Sequence, residues 1–542
     1  MISQNMLKVK SWASAINTVF VAHLIIVGLV ITGILPRGIV PFWTIALAVY
    51  VLWASLEDST TFFVRSIPFF IAIPITTGFD SLNMWRVFSG LIFLKWLILN
   101  RSYLLKFQQN FLHGRVKSSM SKMVIGHPAA LLIGGLFILT ALSAFQAQGQ
   151  ILAIKRIIYF VNLSLIGIVA HDLIRKNQDF SQRLIRNIAI PTIIVALVGI
   201  VQQISTYYLD IFQFVDFWGG VVERNLFGNA WAETAIRANT WFAYFGEQLS
   251  LRMFSIFPDS HSFPIFLLLG LPAVMALSLK KVFQGRTLNP RFDLGSLIRV
   301  RASWLVVFIP LIFLCLILTG TRGIWAAGAV STIWAIFLIY RHRMSLIKDM
   351  RCPYIFKYIA SYLAIFFLLF GVAYYIIASD QFMVQKDSTG LLARRARSLL
   401  DISETSNARR IEIWKDSLRS ITKHPLLGVG IGNFPVVVGE DLARAKAGSS
   451  AHNLYLHIAA ELGLPALLLA LWFLWLLLKK LYNNFLDSRF QIPDSIYFAS
   501  SLIFLPWVLV YSLTDVAIFD ERAFLLFVIT IALILKPKEN GS

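Results

Sequence analysis

Apolar runs of spanning length recur along almost all of this 542-residue chain, and they leave few architectures open. They extend from Asn17 to Leu35, Ile39 to Leu56, Ala129 to Phe145, Ile157 to Ala170, Ile188 to Ile204, Pro264 to Leu279, Trp304 to Leu318, Ile324 to Tyr340, Ile359 to Ile377, Leu464 to Leu478, Ile496 to Tyr511 and Ala523 to Leu535. Each is near the roughly 17 to 25 residues that a helix needs to cross the hydrocarbon. There, only helices and closed barrels satisfy their own backbone polar groups. Two weaker runs, Thr60 to Thr77 and Met84 to Leu99, carry Arg65, Arg86 and Lys95 and predict helices that are short, tilted or tucked inside a bundle. With 57% hydrophobic and 14% charged residues, no soluble core absorbs the apolar excess. The expectation is an all-α polytopic transmembrane helix bundle of about 12 to 14 spans.

The net charge of +21 points to nucleic acid only until its distribution is read. The basic residues gather in short connections: Arg101 to Pro128 holds five Lys or Arg and no acid, Lys280 to Arg301 six against Asp293, and Arg341 to Lys357 five against Asp349. Such connections are cytoplasmic by the positive-inside rule, so this charge reports topology and gives no sign of nucleic acid. Residues 205–262 reverse the balance, with Arg224, Arg237 and Arg252 against Asp210, Asp216, Glu223, Glu233, Glu247 and Asp259. Counting crossings from these anchors places both termini in the cytoplasm, and residues 205–262 and 380–451 outside. No cleavable signal peptide is evident, since the first apolar run has full spanning length and ends at Pro36 and Arg37. Cys315 falls inside a span and Cys352 in a cytoplasmic connection, a placement that suits no disulfide. The expected organisation is one membrane domain in four parts: helices in 1–204, helices with a first external loop in 205–378, a large external loop in 379–453, and helices in 454–542.

Function is sought in the loops, where polar groups escape the cost of burial in lipid. In the large loop, Ser406 or Asn407 caps a predicted amphipathic helix whose apolar residues Ile411, Trp414, Leu418 and Ile421 recur at three- and four-residue steps. The simplest picture lays that helix on the membrane surface. The run His424-Pro-Leu-Leu-Gly-Val-Gly-Ile-Gly-Asn-Phe434 then breaks it with a turn. Glycines at alternate positions, Gly430 and Gly432 among them, suit either a tight turn packed on the bundle or close approach to a ligand. The loop is basic, with eleven Lys and Arg against eight Asp and Glu. A solvated face, anionic headgroups or an anionic substrate each account for that, and the clusters Arg394, Arg395, Arg397 and Arg409, Arg410 are the places to look. Three more segments share the outer side: Arg252 to Ser260, Thr319-Gly-Thr-Arg-Gly323, and Ser450 to Asn453. Arg322 at a helix end also suits simple snorkelling to headgroups, and His452 with Asn453 suits a helix cap. His457 and Glu461 share a helical face, but no third ligand at suitable spacing supports a metal.

Taken in order, Arg252 with its Phe-Pro-Asp tail, Thr-Gly-Thr-Arg-Gly at 319–323, Arg409 and Arg410 before Ile-Trp, the glycine-rich run at 424–434, and His452-Asn453 before Glu461-Leu-Gly463 resemble the bacterial O-antigen ligase and polymerase superfamily. The resemblance covers roughly Arg252 to Leu478. It implies transfer of a glycan from an undecaprenyl-diphosphate carrier to an acceptor hydroxyl on another glycan or on lipid A-core, at the outer face of the bacterial cytoplasmic membrane. It implies inversion at the anomeric carbon and neither cofactor nor metal. Arg252 and Arg322 then stabilise the departing diphosphate, with Arg409 or Arg410 as a third cation. His452 takes the proton of the attacking hydroxyl, and Asn453, Glu461, Gly430 and Gly432 help to bind substrate. Ala466 stands where a ligase usually has a second small residue, Gly, three positions beyond Gly463, which tilts the reading toward a polymerase. Two other classes stay open on the residues alone. One is a transporter of lipid-linked or soluble substrates, using Arg65, Arg86 and Lys95. The other is a membrane acyltransferase built on His452 and Asn453, which leaves the external arginines without a role.

Overall fold

The computed structural model describes residues 2–75, 82–101, 128–237, 240–245, 248–284, 304–344, 351–383, 405–440, 449–487 and 490–537. The first two basic connections lie for the most part outside the described residues, as do residues 345–350 of the third and Arg394, Arg395 and Arg397.

The chain is an all-α bundle. Its long helices are α1 (Ile2–Ile31), α2 (Val40–Trp53), α3 (Leu56–Ser66), α4 (Met84–Leu99), α5 (Pro128–Ser143), α6 (Gln150–Lys176), α7 (Phe180–Ser205) and α8 (Ser262–Gln284). They continue with α9 (Phe308–Leu318), α10 (Arg322–Met344), α11 (Arg351–Ala378), α12 (Thr405–Lys423), α13 (Leu454–Leu462), α14 (Leu464–Leu486), α15 (Ile492–Tyr511) and α16 (Glu521–Ile534). Among the described residues, seven helices are long and apolar enough to cross a membrane: α6, α7, α8, α10, α11, α14 and α15. Four shorter apolar stretches, Ala15–Ile31, Arg37–Trp53, Pro128–Ser143 and Trp304–Leu318, accompany them. The weak runs behave as their charges predict. The first forms only the 11-residue α3 and a 3₁₀ turn over Ile67–Phe69, since Pro68 has no N–H to continue the ladder. The second forms the 16-residue α4.

The bundle has a definite centre. The spanning windows of α8 and α15 are 94% and 83% buried, those of α14 and α11 only 22% and 28%, so α8 and α15 form the axis and α11 and α14 the rim. The chain passes back and forth between two ends. At one end meet Arg37 Nε and Asn225 O (3.2 Å), Asn83 Nδ2 and Glu521 Oε1 (2.9 Å), Phe382 N and Thr206 O (2.7 Å), and Leu454 N and Ser512 O (2.8 Å). At the other, Lys176 Nζ donates to Asn100 Oδ1 (2.7 Å) and Lys536 Nζ to Asp494 Oδ2 (3.1 Å).

The first end carries the elaborations. Between α7 and α8 the chain makes a turn of helix at Ile211–Phe214, capped by Asp210, whose carboxylate accepts from Phe212 N and Gln213 N. A π-helical stretch (Val215–Glu223), a helix at Asn229–Arg237, and an antiparallel hairpin of β1 (Phe242–Phe245) with β2 (Gln248–Leu251) follow. None of this local order was expected of a loop.

Candidate active site

Three loops reach one spot at the elaborated end. The first is the strand exit at Arg252. Its N–H donates to Trp241 O (2.7 Å) and that of Met253 to Leu318 O (3.0 Å), tying it to both the hairpin and α9. Gln202 of α7 then accepts from Phe254 N (3.0 Å) and Ser255 N (2.8 Å) and donates to Ser255 O (3.1 Å). Trp241 stacks on Phe254 at 4.4 Å. With its main chain so fixed, the half-buried Arg252 side chain reaches Thr319 O and Thr321 Oγ1, both at 3.4 Å, and His261 Nε2 at 3.5 Å. These are long contacts. Burial, together with the nearby charges of Arg410 and Arg322, brings the guanidinium down to about 10, so it stays charged at neutral pH.

The second loop is Thr319–Gly323, which opens α10. Thr321 Oγ1 donates to Ser260 O (3.0 Å), joining this loop to the first. Arg322 is the first residue of α10, whose close packing on α15 depends on glycine. A Cβ at Gly323 would lie 2.3 Å from Thr514 Oγ1 and 3.0 Å from the Tyr511 ring.

The third loop is Ser450–Asn453. Asn453 caps α13, its Oδ1 accepting from Tyr455 N (3.0 Å) and Leu456 N (3.1 Å). Trp414 of α12 donates to Ala451 O (2.9 Å), and Leu454 N donates to Ser512 O (2.8 Å). Between them His452 sits at φ +46°, a left-handed conformation that costs about 1–3 kcal/mol in a non-glycine residue. It turns the imidazole toward the corner that follows α15.

That corner holds what sequence reasoning missed. Asp515 anchors one oxygen on Val516 N (2.8 Å) and Ala517 N (2.9 Å). Its other oxygen faces His261 Nδ1 at 3.3 Å and His452 Nδ1 at 4.0 Å. Burial opposes its charge, but His261, His452 and Arg410 outweigh burial and hold the carboxyl below its ordinary range. His261, whose Nδ1 also lies 3.0 Å from Tyr511 Oη, is pushed down to about 3 by burial, against the pull of Asp515. A neutral His261 facing a guanidinium with Nε2 must carry its proton on Nδ1, the nitrogen turned to Asp515 and Tyr511. The sequence signal was there: His261 lies nine residues beyond Arg252, and Asp515 is an acid in the short turn between two spans.

The predicted residues separate. Arg252, Arg322, Arg410 and His452 converge, for Arg410 is near enough to Arg252, His261 and Asp515 to shift their titration. Arg409, next to it on α12, is exposed. The inward face of α12 keeps Trp414 and Ile421 of the expected one and takes Ile413 and Ser417 in place of Leu418. Ile413, Ser417 and Ile421 turn inward and Leu418 is 54% exposed, because α12 packs beside Ala459, Ala460 and Phe434. Glu461 and the glycine-rich turn lie together on the far side of α13. Glu461 Oε1 accepts from Phe434 N (3.1 Å), and Oε2 lies 3.6 Å from His457 Nε2. Gly428 (φ +63°) and Gly463 (φ +87°) let backbones touch, since a Cβ would sit 2.4 Å from Glu461 C and 2.2 Å from Leu426 O. Gly430 abuts Ala147 and Gly432 abuts Arg156. Among the described residues no three His, Cys, Asp or Glu side chains are grouped to hold a metal ion.

Residues 305–471 match the family model described as O-antigen ligase. That segment is similar to the O-antigen ligase family, and the match supports the resemblance to the O-antigen ligase and polymerase superfamily. With the spanning helices, the match supports a membrane enzyme of O-antigen or related polysaccharide biosynthesis. No curated protein matches the chain. The segment typical of the superfamily includes Arg322, Arg410 and His452, whereas Arg252, His261, Tyr511 and Asp515 lie beyond its limits.

Proposed function

We propose that this enzyme transfers a glycan from an undecaprenyl-diphosphate carrier to an acceptor hydroxyl, at the outer face of the bacterial cytoplasmic membrane, with both termini on the inner side. The observation that supports the reading most is the convergence of Arg252, Arg322 and Arg410 around Asp515, His261 and His452.

The chemistry follows from the charges. As the acceptor oxygen attacks the anomeric carbon, the bond from that carbon to the diphosphate oxygen breaks and negative charge grows on the leaving group. Three fixed arginines beside it stabilise that charge without rearrangement. The hydroxyl proton passes to His452 Nε2. Its Nδ1 faces Asp515, and the ring is 42% exposed, so the free nitrogen is reachable by an acceptor. Asp515 favours the imidazolium that forms. Attack opposite the leaving group inverts the anomeric centre. Ala466 is fully buried and is the residue that favours polymerase over lipopolysaccharide ligase. The transporter reading loses two of its residues: Arg65 is held by Asn187 and Asn17, and Lys95 by carbonyls at the end of α2.

The test is a proteoliposome assay with a synthetic undecaprenyl-diphosphate oligosaccharide and glycan or lipid A-core acceptors. Transfer without nucleotide or metal, lost in both His452→Ala and Arg322→Ala, is the expected result, and the product distinguishes polymerisation from ligation. Binding or flux without transfer, indifferent to both substitutions, would overturn the reading.

A further inference from the structure

A second pair of arginines lies across the 512–520 corner from the first group. Arg86 stands in the first turn of α4 and Arg156 in the second turn of α6, both at the elaborated end. Their guanidinium carbons lie 5.5 and 5.1 Å from the centroid of one ring, Tyr159. Trp85 and Phe160 supply a second aromatic contact to each, at 5.2 and 5.1 Å. Both side chains are half-buried, hence reachable.

Among the described residues no anion pairs with either of them. The carboxylate beside Arg86 is Glu521, and its two oxygens are taken by neutral donors, Asn83 Nδ2 at 2.9 Å and Trp85 Nε1 at 2.7 Å. Arg86 Nε is buried with no hydrogen-bond partner, and among the described residues neither arginine makes an ion pair. An aromatic face attracts a cation, but two cations on one ring repel each other. A phosphate or diphosphate bridging the two planar forks would satisfy both at once.

The position names the ligand. Tyr159 Oη donates to Phe519 O (3.0 Å), and the Phe160 ring packs on Phe519 at 5.2 Å. Phe519 belongs to the corner that carries Asp515, and the His457 ring lies 6.1 Å from it on the α13 side. On the outward side of the same turns of α6, Ile151, Ile154 and Ile158 are 71%, 54% and 56% exposed, an apolar surface for a lipid chain beside the two cations. We propose that Arg86 and Arg156 form a second anion site, which takes the phosphate or diphosphate of a lipid-carried acceptor while Arg252, Arg322 and Arg410 hold the donor. The acceptor role rests on the transferase reading above.

The test counts ligands. Full-length protein in phosphatidylcholine nanodiscs is titrated with geranylgeranyl diphosphate and bound copies are read by native mass spectrometry. Wild type should bind two copies. Arg86→Gln with Arg156→Gln should bind one, the other weakened at least tenfold, and Arg252→Gln with Arg322→Gln should lose the complementary copy. Arg86→Lys with Arg156→Lys keeps the charge and should retain two, which separates lost binding from lost fold. Inorganic diphosphate and phosphatidylglycerol, added separately at equal concentration, should leave the second copy in place. Two copies of unchanged affinity in the glutamine pair, or displacement by either competitor, would overturn the site. The count needs no turnover, so failure of the transferase reading would show in the glycan assay and not here.

Discussion

The two ends of the bundle each bury charge, on opposite terms. At the plain end Lys536 Nζ meets Asp494 at 3.1 Å and Ser181 at 2.9 Å, Ser181 Oγ closes the triangle onto Asp494 at 2.9 Å, and both charged side chains are 2% exposed. One cation meets one anion at hydrogen-bond distance. At the elaborated end two histidines and Arg410 act on Asp515 at longer range, Arg252 and Arg322 lie close by, and among the described residues His452 Nδ1 is buried without a hydrogen bond. The first cluster is complete and needs no ligand. The second has positive charge in surplus, which a buried site tolerates only if an anion is expected.

The comparison yields graded predictions. Asp515→Ala should leave a folded protein whose transfer rate falls by a factor of about 10² to 10⁴, the usual contribution of general-base catalysis, here by the His452 that Asp515 supports; a smaller loss would make the cluster at the elaborated end structural too. At the plain end, Lys536→Ala should lower stability by about 3–5 kcal/mol, because it strands a buried carboxylate, while the rate per folded molecule holds. Thermal melts in detergent alongside turnover would show this, and a rate loss without destabilisation would reverse the assignment. Arg410→Ala should cost about 10²-fold in rate and Arg409→Ala little, with equal losses arguing that α12 merely collects anions. The smallest effect is on pH dependence. His261 falls from an ordinary 6.5 to about 3 on burial, so across that window the unfolded chain binds a proton that the folded one refuses. Stability therefore falls as pH drops from about 6.5 toward 3, and melts of His261→Gln between pH 7 and 4 should show a flatter acid limb.

Much of this was legible in the sequence, and the rest was hidden for definable reasons. Spans announce themselves because each is a local sum of apolar residues, Arg322 and His452 stood out because they flank such sums, and Arg410 because it belongs to a basic cluster on an amphipathic helix. Asp515 and His261 did not, since their meaning comes from α8 and α15 lying side by side, a long-range fact no local pattern encodes. The face of α12 was misjudged for a related reason. Leu418 follows the helical period with Ile421 as well as Ile413 does, and only α13 decides between them. The break after Ser66 was foreshadowed by Pro68, whereas the hairpin at 242–251 had no comparable marker.

Gly323 has a consequence for how such an enzyme changes over time. The first turn of α10 rests against Thr514 and Tyr511 with no room for a methyl group, so the backbone that carries Arg322 is set by contacts that carry no charge. Neutral substitutions along the α10–α15 seam, at Gly328 against Trp507 for instance, would shift that arginine by fractions of an ångström. Rate and donor preference are thereby open to drift through the packing of the membrane interior, with every charged residue left in place.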